Sequence, residues 1–226
     1  MRLLSGFMLV SILPAAISGC NYVGPIAYLV HGPGKIEARH TLEVARPTVI
    51  FVDDSMSQLP SRSIRGEIAA SVERFLLKEE KLKDVIDHRS ALQASIADRH
   101  GQSLSIAEIG RSVGAEVVIY IEIDSFGISP DGQTFSPFAA ARVKVVDVAK
   151  DARAWPDDRR GHPVKLDPTP QAIEAPESTA AKLEAARLLA AQLGKAVAQL
   201  FYTHEPDQAA GQGDLRREGG LYADPS

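Results

Sequence analysis

The stretch SIAEIGRSVGAEVVIYIEID, residues 105–124, reads as a short helix, a glycine stop and a long strand in immediate succession. Ser105 and Glu108 have the Ser-x-x-Glu spacing of a capping box, in which hydroxyl and carboxylate each satisfy an amide that the first helical turn leaves orphaned. Gly114 ends the helix, because glycine adopts the left-handed conformation of a helix terminus at little cost. Small Ala115 lets the chain turn tightly. From Glu116 to Asp124 the side chains alternate, with Val117, Ile119, Ile121 and Ile123 on one face and Val118, Tyr120, Glu122 and Asp124 on the other. Such a strand is central in a sheet and half exposed at its far end.

Upstream, Pro47 precedes Thr48-Val49-Ile50-Phe51-Val52, a continuous β-branched run ended by Asp53-Asp54. This predicts a strand buried on both faces. From Ser63 to Lys81, Ile64, Ile68, Val72, Phe75 and Leu76 recur at helical spacing, with Glu73, Arg74, Lys78 and Glu79 on the wet face. Asp84-Val85-Ile86 reads as a short strand, and Leu92 with Ile96 as one face of a brief helix before Gly101.

Downstream, a turn region from Gly127 to Pro137 leads to a second long strand, Phe138 to Val148, where Ala141, Val143 and Val145 alternate with Arg142 and Lys144. The two long strands make an antiparallel hairpin. Trp155-Pro156 reads as the end of that strand or a further irregular one, and Asp157 to Pro176 as a connecting loop. Ser178 caps a final helix whose stripe, Leu183, Ala186, Leu189, Leu193, Val197 and Leu200, runs toward Phe201. The stripe is read as core, with a partner-binding surface as the other reading. Residues 206–226 carry few large apolar groups and are expected to be disordered. The fold class is α/β, a single mixed sheet in the order strand-helix-strand-helix-strand-strand-helix, packed by helices, over residues 47–205.

The formal net charge is -4, and the basic pairs Arg159-Arg160 and Arg216-Arg217 are both flanked by carboxylates, so nucleic acid is not an expected partner. The six histidines are scattered, with no His-x-x-x-His pair, and neither a metal nor another cofactor is expected. Asp53-Asp54 is the best catalytic-looking pair, since carboxylates at the ends of sheet strands often line clefts; the plainer reading is an acidic strand end. Asp87, His88 and Ser90 are hydrolase residue types, better explained as a helix start. Neither a Gly-x-Ser-x-Gly elbow, nor a Walker loop, nor a Gly-x-Gly-x-x-Gly after a strand is expected. No catalytic residue is assigned.

Cys20 is the sole cysteine. It follows a positive Met1-Arg2, an apolar Leu3 to Ile17 and the small pair Ser18-Gly19. The apolar segment is shorter than the ~20 residues a membrane span needs. The arrangement resembles the lipobox of bacterial lipoproteins. That resemblance implies a signal peptide over residues 1–19, a Cys20 that becomes the lipidated first residue, and a membrane anchor. Residues 20–46, with Gly24-Pro25 and Gly32-Pro33-Gly34, read as a tether; the run Ile26 to Val30 is open between an edge strand and a segment on the membrane surface. With Cys20 acylated, no thiol remains for a disulfide.

Thr48 to Asp53, the junction Ile109 to Val118, and Val145-Val146-Asp147-Val148 followed by Trp155 together resemble one superfamily. It is the α/β domain shared by curli-secretion channel lipoproteins, activator lipoproteins of penicillin-binding proteins and the amino-terminal domain of TolB, over residues 47–203. In those families a helix ending in Gly-Ala-Asp/Glu leads into a long strand, and a paired Val-Asp-x strand follows. The segment between Asp124 and Phe138 is too short for membrane-spanning hairpins, whose strands need about 10 residues each. The resemblance therefore implies a non-catalytic adaptor or assembly factor for an envelope protein complex in cell-wall synthesis or secretion. The alternatives are a subunit of a homo-oligomeric secretion structure and a periplasmic hydrolase. Asn21 stands where an aspartate would mark inner-membrane retention, so lipoprotein resemblance implies the outer membrane, facing the periplasm. The oligomeric state is left open.

Overall fold

A computed structural model of the chain describes residues 34–96, 104–168 and 173–206. Its elements are β1 (Thr48–Asp53), α1 (Arg62–Lys78), β2 (Val85–Ile86), α2 (His88–Ile96), α3 (Ile106–Ser112), β3 (Val117–Gly127), β4 (Phe138–Asp147), β5 (Ala152–Trp155), β6 (His162–Leu166) and α4 (Thr179–Ala198), closed by a 3-10 turn, Gln199–Phe201. The expected α/β class holds: one open mixed sheet of six strands is packed by helices. β2, β1 and β3 are parallel neighbours, and β4 returns antiparallel to β3.

The junction at residues 105–124 folds as its sequence reads. The Ser105 hydroxyl accepts from the Glu108 amide at 3.2 Å, and the Glu108 carboxylate accepts from the Ser105 amide at 2.8 Å. Gly114 sits at φ +77°, a conformation costly for any residue with a Cβ. Immediately beyond it β3 enters the sheet centre, in register with β1 from Thr48↔Val117 to Asp53↔Glu122.

Helices cover both faces. On one face α1 and α4 bury Ile64, Ile68, Val72, Leu189, Leu193 and Val197 against Ile50, Ile119, Ile121 and Val143. On the other, Ala91 of α2 with Ala107 and Ile109 of α3 packs on Val49, Phe51, Val118 and Tyr120. Ile96 does not share that burial: it is 70% exposed, and small Ala91 is the buried residue of α2.

Two elements depart from expectation. The connecting loop contains β6, which pairs with residues 139–143 of β4, while β5 pairs with residues 145–147 along the same edge. Pro163 within β6 is compatible with an edge strand, where a missing amide costs no ladder bond. The chain also packs ahead of β1, inside the segment read as tether. Ile36 bridges His204, Leu42 is buried, and Arg46 donates to Asp147 at 3.0 Å and to Glu116 at 3.0 Å. Cys20, the run Ile26 to Val30 and residues 207–226 lie outside the described residues.

Arg46 ties this strap to the start of β3 and the end of β4. The Asp147 side chain is 6% exposed, and the hydrogen bond from Arg46, with a second from the Lys150 amide, holds its carboxyl well below the usual carboxylate range. A depressed folded value gives stability that is present above the ordinary value of 3.8 and lost as pH falls below it. Arg46→Ala, which leaves Asp147 buried without its main partner, is expected to cost about 2–4 kcal/mol in a urea titration at neutral pH. Asp147→Asn should flatten the acid limb of the stability profile; an unchanged limb would show that other carboxylates set it.

Candidate functional site

The carboxyl end of the parallel strands is where an open α/β sheet places its cleft, and Asp53, Asp54 and Tyr120 meet there. The Asp53 carboxylate accepts from the Tyr120 hydroxyl at 2.7 Å, and burial, reinforced by that bond, pushes the phenol well above its ordinary value. Asp54 turns the other way. It is 5% exposed and accepts from the amides of Gln58 at 2.6 Å and Leu59 at 3.2 Å, with the Arg65 guanidinium at 3.7 Å. The two carboxylates therefore have separate structural employments: Asp54 orders the β1–α1 loop, and Asp53 pins Tyr120 within β3.

Beyond them, the face that α2 and α3 leave uncovered carries an ion-pair ladder across β3 and β4. Arg142 reaches Asp124 at 2.6 Å and Glu122 at 3.2 Å, and Lys144 reaches Glu122 at 3.5 Å while lying over the Tyr120 ring. Opposite charges directly across an antiparallel pair fix register, and the ladder neutralises itself.

Of the other hydrolase-type residues, Asp87 and His88 stay neighbours, the His88 ring lying 3.8 Å from the Asp87 carboxylate. The His88 ring is 3.1 Å from Glu73, joining α2 to α1, and Asp87 accepts from the Arg89 amide at 2.9 Å, as a helix start requires. Ser90 meets Asp87 through the backbone, its amide donating to the Asp87 carbonyl at 2.9 Å. Although no nucleophile elbow is expected from the sequence, Gly110-Arg111-Ser112-Val113-Gly114 does spell Gly-x-Ser-x-Gly. A nucleophile elbow needs a strand-to-helix turn; here the order is reversed, helix then strand, and the Ser112 hydroxyl donates to the Ile109 carbonyl at 2.7 Å. Gly110 is required by packing, because a Cβ there would lie 2.6 Å from methyls of Val118 and Val148. Among the described residues no three His, Cys, Asp or Glu side chains group to hold a metal ion.

A site the sequence did not announce lies at the free edge of the sheet. His40 from the strap stacks on Trp155 of β5 with ring centroids 5.5 Å apart, Trp155 is 5.0 Å from the His162 ring of β6, and Phe201 meets both His40 and Trp155 edge-on. A shallow pocket of about 220 Å³ opens beside them, lined among others by Glu37, Arg39, His162, Gln199 and His204. Burial pushes the His40 imidazole below its ordinary value; burial and the charge of Arg39 do the same for His162. These rings are far apart in sequence and belong to no periodic stripe. Trp155 followed by proline was the one visible signal.

No helix among the described residues is long and apolar enough to cross a membrane. No family model matches the sequence, and no curated protein matches it. Solved structures of similar fold include lipoprotein GNA1162 from Neisseria meningitidis, at 11% identity and a TM-score of 0.37, covering 54% of this chain and 80% of that one. The PelC dodecamer from Paraburkholderia phytofirmans aligns at 12% identity and 0.39, covering 75% and 97%. The LpoB C-terminal domain from Escherichia coli aligns at 16% identity and 0.31, covering 65% and 94%. Likenesses this distant assign neither a family nor an activity.

Proposed function

We propose that the chain is a lipoprotein acylated at Cys20, held on the outer membrane facing the periplasm. There it works as a non-catalytic adaptor or assembly factor for an envelope protein complex, in cell-wall synthesis or secretion. The observation that carries this reading is the sole cysteine placed directly after an apolar segment too short to span a bilayer and two small residues. The occupied side chains around Asp53, Asp54, His88 and Ser112 support a binding role, since each candidate nucleophile, base or ligand already serves a turn, a cap or a pair. The lipid supplies localisation. At about 0.8 kcal/mol per buried methylene one acyl chain binds marginally, whereas the three chains implied by lipoprotein resemblance hold effectively permanently.

Cys20→Ala is therefore expected to abolish palmitate incorporation and to move the protein from the membrane fraction to the soluble fraction. Crosslinking of the wild type in its native membrane, followed by identification of the captured protein, then names the complex. An unlabelled wild type recovered in the soluble fraction would overturn the anchor, and with it the adaptor reading.

A further inference from the structure

Asp53, Asp54, His88 and Ser112 are each engaged, whereas several polar side chains beside the strap are not. Glu37, Arg39 and Gln199 line the pocket at the sheet edge, and among the described residues their side chains make no hydrogen bond or ion pair, with one another or with any neighbour. Opposite charges two residues apart that share a recess without pairing leave both sets of polar atoms to a third group. His204, on the same lining, is half engaged. Its Nδ1 is 3.1 Å from the Tyr202 carbonyl, which only accepts, so Nδ1 carries the proton and Nε2 is left as an acceptor.

The frame of the pocket does not depend on these side chains. The Ile36 amide donates to the His204 carbonyl at 2.8 Å and the Arg39 amide to the Leu200 carbonyl at 2.7 Å, so backbone bonds hold the strap against the end of the fold. Another wall, β6, is held by its ladder to β4. Polar groups carried on a frame that is already ordered are preorganised, which lowers the cost of binding. The rest of the lining includes the apolar Val164 of β6, Ala196 of α4 and Leu200 of the closing turn.

Size and charge select the occupant. The volume, about 220 Å³, equals about seven waters at ~30 Å³ each and lies below the ~300 Å³ at which drug-sized sites begin. At neutral pH the formal charges of the lining, the Arg39 guanidinium and the Glu37 carboxylate, cancel, so the pocket matches neither a phosphate nor a lone cation. A small molecule that bears both charges and a short apolar branch is matched. We propose that the pocket binds a free apolar α-amino acid of the size of valine or leucine: its carboxylate on Arg39 and the Gln199 amide, its ammonium between Glu37 and His204, its side chain on Val164 and Leu200. The guanidinium fork suits a carboxylate because it donates two parallel bonds. Arg39 and Glu37 are exposed, so each charged contact is screened, and the apolar contact has to add to them for binding to be seen.

The test is calorimetric titration of the full chain in detergent with L-leucine, beside the emission of Trp155, the single tryptophan, whose ring is 5.0 Å from that of His162 on the pocket wall. Saturable binding with a change in emission is expected. Isocaproate lacks the ammonium of leucine, isopentylamine lacks the carboxylate and glycine lacks the side chain; each is expected to bind about tenfold or more weakly, the loss of a charge-assisted bond or of the apolar branch. Arg39→Gln and Glu37→Gln remove charges that hold no partner in the free protein, so each should weaken leucine by about three- to tenfold and leave the urea midpoint unchanged. The site is overturned if leucine gives no saturable signal, or if both glutamine variants bind it as the wild type does. Isocaproate binding as tightly as leucine would also overturn it, since the pocket would then take a carboxylate alone, as at a peptide terminus. None of these readouts uses the lipid or a partner protein, so failure of this site and failure of the lipoprotein reading are distinguishable.

Discussion

A chain ended at Pro176 will not fold. Without α4 the sheet face formed by Ile119, Ile121 and Val143 loses half its cover, because Ala186, Leu189, Ala190, Leu193, Val197 and Ala198 are each at most 2% exposed, as is Phe201 in the following turn. At about 1.5–3 kcal/mol for each large apolar side chain, Leu189, Leu193, Val197 and Phe201 alone contribute on the order of 6–12 kcal/mol. That equals the whole net stability of an ordinary domain, about 5–15 kcal/mol. The expected result is a truncated chain with no cooperative urea transition and no near-ultraviolet dichroism. A truncated chain that unfolded cooperatively would mean that the apolar stripe of α4 is a surface for a partner and that something else covers the sheet.

What could be read in advance divides along a physical line. Residues 105–124 were legible because every signal there is local: a cap three residues from its partner, a glycine stop, a strand whose alternation continues for nine residues. The stripe of α4 was legible for the same reason, although whether it faced core or partner was a tertiary question. β6 was hidden because His162-Pro163-Val164-Lys165-Leu166 is short, proline-bearing and set among charges, and only its pairing with β4 makes it a strand. The strap was hidden more deeply. Ile36, His40 and Leu42 show no common period, and their partners, His204, Trp155 and the core, lie more than 100 residues away in sequence or are not a sequence feature at all. Among the candidate site residues, Asp53 and Asp54 were visible as a pair, yet their opposite employments follow from Tyr120 and from the amides of Gln58 and Leu59, which no spacing rule connects to them. Cys20 remains a reading of sequence alone.

Gly194→Val is expected to cost about 3–5 kcal/mol, more than its conservative size suggests. A glycine in the interior of a helix is about 1 kcal/mol worse than alanine, so Gly194, deep in α4, needs a compensating reason. The contact with α1 supplies it. A Cβ at position 194 would stand 2.5 Å from the Ser71 Cβ and 2.7 Å from the Ile68 carbonyl oxygen. Ser71 in turn donates its hydroxyl to the Ala191 carbonyl at 2.8 Å, so the two backbones are in near contact and bridged at the same point. A side-chain neighbour could rotate away, but the Ile68 carbonyl belongs to the helical ladder and moves only with α1. Gly194→Ala therefore sets a propensity gain of about 1 kcal/mol against an overpacking cost of about 1–3 kcal/mol and should come out destabilised. Valine adds two methyl groups in the same place. Ser71→Gly removes the serine half of the clash and leaves the carbonyl half, so combined with Gly194→Ala it should recover part of the loss and not all of it. Urea midpoints for the two single variants and the pair give that coupling directly. If Gly194→Ala proved more stable than the wild type, the helices would be free to separate, and the close crossing of α1 and α4 would not be what holds this face of the sheet.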